Sequence, residues 1–181
     1  MNKHRAIALL VILASSLLAA CVTQPDEKLI APVNTEFDPK NSYFLLGNEP
    51  VQLVNGVAVT PIDNSAAQIS THYAGQLVTG DLNGDGQPDQ AFWVRQTTGG
   101  SGAFYYVVAA LRNESGYQTT NAHFVGERIE PQHLLIPANS RQLQVYFATH
   151  KANEAMNERP TAEKVLLLKV TAAGVLEGYM K

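Results

Sequence analysis

Asp81, Asn83, Asp85 and Asp89 occupy positions one, three, five and nine of the stretch Asp81-Leu82-Asn83-Gly84-Asp85-Gly86-Gln87-Pro88-Asp89. Alternate side chains of a tightly curled segment can converge on one centre. Carboxylate and amide oxygens are the donors that a hard cation such as calcium takes, about six to eight of them at roughly 2.3–2.6 Å. Gln87, at position seven, offers its backbone carbonyl, and Gly86, at position six, permits the sharp turn. Three carboxylates and an amide crowded on one point repel one another unless a cation sits among them. The chemistry expected here is therefore structural calcium binding, with Asp81, Asn83, Asp85, Gln87 and Asp89 as ligands. Position twelve is Phe92 rather than a bidentate Glu, which points to a modest affinity of about 10⁻⁴ to 10⁻³ M. The competing reading is a metal-free turn, since Asn, Asp and Gly serve turns in their own right.

Other side chains carry weaker signals. Gly99-Gly100-Ser101-Gly102 suggests a nucleophile on a tight turn, but Ala103 stands where the second glycine of that motif belongs, so a flexible turn is expected instead. His72, His123, His133 and His150 share no zinc-like spacing, and a lone histidine at a strand end is the ordinary case. Trp93, Tyr105 and Tyr106 have the chemistry of a sugar-binding platform, though aromatics on central strands more often build core. Glu127-Arg128 suits an ion pair at a strand entry. No residue stands out as catalytic.

The elements that must position the acidic loop read as strands. Period-two patterns and turn signals recur from Ser42 onward, with no long 3.6-residue periodicity. Val51–Val54 and Val57–Thr60 flank Asn55-Gly56, a pair suited to a type I′ hairpin turn. Gln76–Thr79 leads into the acidic loop and Gln90–Gln96 leads away. Phe104–Leu111 is apolar on both alternations, as expected of a central strand covered on both faces. Tyr117–Phe124, Ile129–Ile136, Arg141–Thr149 and Val165–Val170 follow, with Gly174 turning the chain into Val175-Leu176. Roughly nine strands at near-regular spacing imply a mainly β fold, a single antiparallel sandwich or small barrel. At most two short helices are expected: 65–73 and 151–157 have the composition for one, the second stopped by Pro160, and either serves equally as a loop.

The N-terminal region says where such a domain would work. Lys3 and Arg5 precede the apolar run Ala6–Ala14, and Leu18-Ala19-Ala20-Cys21 closes it. Ala6–Ala20 is shorter than the about 20 residues a spanning helix needs. The pattern resembles the lipobox of bacterial lipoprotein precursors. That resemblance implies cleavage before Cys21, a diacylglycerol on its thiol and an acyl group on its amine; several chains on one residue make a stable anchor. Val22 then favours the outer membrane over the inner. The implied organisation is a signal peptide at 1–20, the lipidated cysteine and a proline-containing tether at 21–41, and one mainly β domain at 42–181. Without Lys3 and Arg5, 11 basic residues face 16 acidic ones, a formal charge of −5. A chain of that balance lacks the clustered cations that nucleic acid requires. Cys21 is the chain's one cysteine, so no disulfide within the chain is available.

The acidic loop departs from an EF-hand, since its flanks are strands. Val78–Val94 instead resembles the loop of FG-GAP and VCBS-type repeats, in which calcium sits inside a turn between two strands. Those families use multiple copies and this chain has one, so no propeller is implied. A wider likeness rests on Gly80–Gly86, Gly99–Tyr106, Gly126–Ile129 and Arg159–Thr161. Together these resemble a group of small bacterial proteins, often lipoproteins, to which no activity is attached. The functional expectation is an outer-membrane lipoprotein facing the periplasm, a non-catalytic accessory in envelope interaction or assembly whose partner is an envelope protein or glycan. The alternatives are an enzyme acting on envelope glycans or peptides, using loop carboxylates, and a carbohydrate-binding module.

Overall fold

The computed structural model describes residues 36–179. The expectations for the leader, for Cys21 and for the tether up to residue 35 lie outside the described residues. Within them the chain is mainly β, as its patterning implies. A 3-10 turn at Pro39–Asn41 precedes twelve strands: β1 (Tyr43–Leu46), β2 (Glu49–Gln52), β3 (Val57–Pro61), β4 (Gln68–Gly80), β5 (Asp89–Thr97), β6 (Phe104–Asn113), β7 (Gly116–Thr119), β8 (Asn121–Glu127), β9 (Glu130–Leu135), β10 (Leu143–Thr149), β11 (Ala162–Val170) and β12 (Leu176–Gly178).

One sheet runs β2-β1-β8-β6-β5-β4-β3, with β7 beside the far half of β6; the second runs β12-β11-β10-β9. All pairings are antiparallel except β1 with β8. Every strand of the seven-strand path sends side chains to one apolar cluster. Phe44, Phe92, Val94, Val108 and Ala122 are its buried centre, and Leu46, Val51, Ala58, Tyr73 and Tyr106 pack around it. A sheet whose strands all converge on one cluster has rolled up, and here it forms a nearly closed barrel. The alternate side chains point outward, as period two demands. On β5 and β6 these are Ala91, Trp93, Val107 and Ala109, and the second sheet covers them with Leu143, Val145, Leu168 and Leu176. Strands β5 and β6 are thus buried on both faces, which accounts for the unbroken apolar run on β6.

The Asn55-Gly56 signal makes its turn but not its hairpin. Both residues have positive φ, +52° and +88°, as a type I′ turn needs. Only the bridge between Val54 and Val57 joins the flanking segments. Beyond it β2 pairs with β1 and β3 with β4, so the two arms become opposite ends of the rolled sheet. The turn is held from outside: Gly56 donates its N–H to the Lys40 carbonyl at 2.7 Å, and Asn55 donates to Asn41 Oδ1 at 2.9 Å. The fold also takes in Phe37, whose ring lies 5.7 Å from Phe92 and 5.3 Å from Tyr117.

Neither of the two segments left open between helix and loop is helical. Residues 68–73 belong to the long strand β4, which bulges after Tyr73 before resuming at Leu77. Residues 151–158 are turns. There Glu154 folds its carboxylate back onto the N–H groups of Lys151 and Thr161 and onto the Thr161 hydroxyl. The Thr161 hydroxyl, with those N–H groups, holds the Glu154 carboxyl down to about 2. Good helix formers lose here to a side chain that organises the backbone differently.

Two carboxamides stitch the sheets together at both edges of the smaller one. Gln76, in the β4 bulge, donates to the Gln132 carbonyl at 3.1 Å and accepts from the Leu134 N–H at 2.8 Å, both on edge strand β9. Asn121, on β8, donates to the Leu176 carbonyl at 3.2 Å and accepts its N–H at 2.8 Å, on edge strand β12. Each amide imitates a neighbouring strand and removes exposed donors that would invite edge-to-edge association. Replacing either by Ala is expected to cost about 1–3 kcal/mol and to raise aggregation near the unfolding transition, read by denaturant unfolding and light scattering. A surface-like cost of a few tenths of a kcal/mol contradicts the clamp.

His123 sits at the same junction, Nδ1 3.3 Å from the Leu176 carbonyl. Burial pushes its pKa below the ordinary histidine value, outweighing the Leu176 contact and the charge of Glu177. The unfolded chain therefore binds a proton at His123 more readily than the folded chain. The stability from its neutral form is present above the ordinary histidine pKa and is lost as pH falls through the lower folded value. The melting temperature is expected to drop between pH 7 and pH 5, and His123→Asn to flatten that drop. An unchanged profile in the variant contradicts this assignment.

Candidate functional site

Strands β4 and β5 run in register to Gly80 opposite Asp89, so the acidic stretch is the loop that joins them. Gly84 (φ +85°) and Gly86 (φ +81°) take the left-handed conformations that let nine residues curl so tightly. The side chains fold back onto the loop's own backbone. Asp81 accepts from Gly84 N–H at 2.5 Å and Gly86 N–H at 3.0 Å. Asn83 Oδ1 accepts from Asp85 N–H at 3.0 Å. Asp85 in turn accepts from Gln87 N–H at 2.7 Å and from Asn83 Nδ2 at 3.0 Å. Asp81, Asn83 and Asp85 therefore share one turn.

Asp89 has a different place. It opens β5 fully buried. Its Oδ2 accepts from the N–H groups of Leu82 at 2.8 Å and Asn83 at 3.2 Å, and its Oδ1 from Arg112 N–H on β6 at 2.9 Å. It fastens the start of the loop to the central strand. Burial pushes its carboxyl above the ordinary aspartate range; the three N–H groups pull the other way and the charge of Asp85 adds to the rise.

Seven N–H groups in all donate to the three carboxylates. The crowding is thus offset by amide dipoles before any ion is considered, a compensation that residue spacing alone does not reveal. A second positive group comes from the β9–β10 connection: the guanidinium of Arg141 lies where a side chain on Gly84 would project. Among the described residues no three His, Cys, Asp or Glu side chains gather at metal-binding distance. The donor set suited to a hard cation is the oxygens of Asp81, Asn83 and Asp85 with the Gln87 carbonyl. The loop has room beside Gly86, where no heavy atom lies within 4 Å of a would-be Cβ. By oxygen chemistry and access these residues fit calcium; Asp89 differs from them in being fully buried behind the loop, since Asp81 and Asp85 also have both oxygens on N–H groups.

Two depressions flank the loop, both touched by Arg141. One, of about 480 Å³, includes Asp81 and the 136–141 connection; the other, of about 520 Å³, includes Asn83, Lys169 and Thr171. The buried carboxyl of Asp89 lines neither. The Gly99–Gly102 segment is a turn, as expected. Ser101 Oγ there accepts from Arg128 Nη2 at 2.8 Å, and Arg128 lies 3.5 Å from Glu127, the expected ion pair. Trp93 is fully buried between the sheets. Tyr105 packs with that same inter-sheet cluster, while Tyr106 packs into the barrel. These three aromatics make no shared platform. Arg141, Gln76 and Asn121 carry no local signal in the sequence: Gln76 and Asn121 bond backbone more than 50 residues away, and Arg141 fills the space beside the equally distant Gly84.

Compared with protein-family models, curated proteins and solved structures, the chain has no match.

Proposed function

We propose that this chain is a non-catalytic lipoprotein of the bacterial envelope. In this reading Cys21 anchors it to the outer membrane on the periplasmic side, and its β domain serves interaction or assembly with an envelope protein or glycan. Calcium is held on the β4–β5 loop by Asp81, Asn83, Asp85 and the Gln87 carbonyl, with Asp89 securing the loop behind them. Its role is structural: the ion would stiffen a loop that joins two central strands of the barrel.

The observation that carries the cation reading is the turn itself, where the side chains of Asp81, Asn83 and Asp85 are each held by backbone N–H groups of one nine-residue loop. Support for a non-catalytic role comes from Asp89, a carboxyl whose raised pKa belongs to a buried fastening point that lines neither depression beside the loop. A sugar-binding role loses its aromatic platform for the reason given above.

The test is thermal unfolding with and without calcium. At tenfold excess over its Kd a ligand of the native state contributes about 1.4 kcal/mol, roughly 3–6 °C in a domain of this size. Calcium at about 10 mM, set by the expected affinity, should raise the melting temperature by that amount, and Asp85→Ala should abolish the rise. The anchor is tested separately, by whether Cys21→Ser releases the protein from the membrane fraction. No calcium-dependent shift, or a shift that Asp85→Ala leaves intact, overturns the cation reading.

A further inference from the structure

The barrel does not close. Its terminal strands β2 and β3 are bridged at Val54 and Val57 and then part. A cavity of about 700 Å³ opens along that seam. Its walls are the inward side chains Leu46, Val51, Ala58 and Ile69, and Thr71 and Gln96 also line it. The polar pair satisfy one another, Gln96 Nε2 donating to Thr71 Oγ1 at 3.1 Å. The rim carries Val54, Val57 and Val59, exposed by 60%, 37% and 51%. Glu49 is the single charged residue of the lining.

Two features decide what such a cavity takes. A partner strand would need a row of free N–H groups on the seam's edges, and both edges lack one. Pro50 and Pro61 have no N–H. Val57 spends its N–H and C=O on Val54, at 3.2 and 3.0 Å. By strand alternation this leaves Gln52 and Val59 as the edge donors. Strand addition is therefore poorly served. An anionic group inside is equally poorly served, since no Lys or Arg lines the cavity and Glu49 stands at its edge. What the lining does fit is hydrocarbon, in a volume within the about 300–1,000 Å³ usual for single small ligands at barrel mouths.

We propose that the seam cavity binds one linear acyl chain of a monoacyl lipid, with the hydrocarbon inside the barrel and the head group outside the rim. Thr60, exposed at the mouth and opposite Ile69 in the β3–β4 register, stands where the chain would enter.

The test uses the full chain with Cys21→Ser, so that the protein carries no acyl group of its own, and cis-parinaric acid as fluorescent probe, displaced by unlabelled acids and alcohols. Saturable one-to-one binding is expected, with competitors gaining about fourfold per added methylene until the cavity is filled. Alcohols should compete at least as well as acids of equal length. Thr60→Trp should weaken binding at least tenfold, while Val165→Trp, on the exposed face of the other sheet, should leave it unchanged. If Thr60→Trp does not fold, Ala58→Phe takes its place, and the chain-length and acid-against-alcohol series are read on the protein without either cavity substitution. The proposal is overturned by binding that does not saturate, by acids outcompeting alcohols, or by an undiminished Thr60→Trp. It is equally overturned if diacyl vesicles or extended peptides displace the probe where monoacyl lipids do not.

Discussion

Asp89→Ala is expected to destabilise the protein by about 3–5 kcal/mol. The substitution removes a buried carboxylate that three backbone N–H groups share, from Leu82, Asn83 and Arg112. A buried donor left without a partner costs about 1–3 kcal/mol, and three are stranded together, on the loop and on strand β6. Part of the loss is recovered because burial itself disfavours the ionised carboxylate, which is why the three costs do not simply add. Against a total stability of about 5–15 kcal/mol for an ordinary domain, such a variant is close to unfolded at 37 °C. Asp89→Asn retains one acceptor but turns an amide N–H toward a backbone donor, so it should fall between wild type and Ala. Denaturant unfolding measures all three. A cost below about 1 kcal/mol for Ala would mean that the loop's N–H groups find other partners and that Asp89 is no anchor.

Trp93→Ala is the second large effect, about 3–5 kcal/mol. The indole is fully buried on the outer face of β5, in the layer where the second sheet lies against the barrel. Its removal leaves a void between two sheets whose strands are fixed by their own ladders and cannot close in. The informative comparison is Trp93→Phe. The indole N–H has no hydrogen-bond partner among the described residues, so a ring without a donor forfeits volume but no bond. Phe should cost about 1–2 kcal/mol, well under half of the Ala value. Trp93 is the chain's one tryptophan, so the Phe and Ala variants are followed by circular dichroism rather than fluorescence. Equal costs for Phe and Ala would show that the indole N–H is engaged after all.

Much of this fold could be read from residue patterns, because burial on one or two faces leaves its period in the chain. The two-sided apolar run of Phe104–Leu111 is the centre of the larger sheet, and the alternation of Leu143, Val145 and Phe147 with Gln144 and Tyr146 matches the half-covered β10. The Asn55-Gly56 turn was legible for a local reason, two consecutive positive φ angles. What no pattern disclosed is partnership. Val51–Val54 and Val57–Thr60 look like the arms of one hairpin, yet the free energy of rolling the sheet around Phe44, Phe92 and Val108 sends them to opposite ends. Clamps such as Gln76 and Asn121 were hidden for the same reason, since their targets lie more than 50 residues away. In the acidic loop, spacing identified Asp81, Asn83, Asp85 and Asp89 as a group. It did not separate the three positions on the turn from the fourth, because burial of Asp89 depends on the strand β6 that passes behind it.

The carboxylate and amide oxygens of the β4–β5 loop are expected to hold an ion as well as their own N–H groups. Equilibrium dialysis of the full chain against radioactive calcium measures this directly. One ion per chain is expected, half-saturating at about 0.1–1 mM, with Asp81→Asn and Asp85→Ala each weakening binding at least tenfold and Glu49→Gln leaving it unchanged. No bound calcium at millimolar concentration, or equal binding by the loop variants, would contradict the account and leave the loop a turn fastened by amide hydrogens alone.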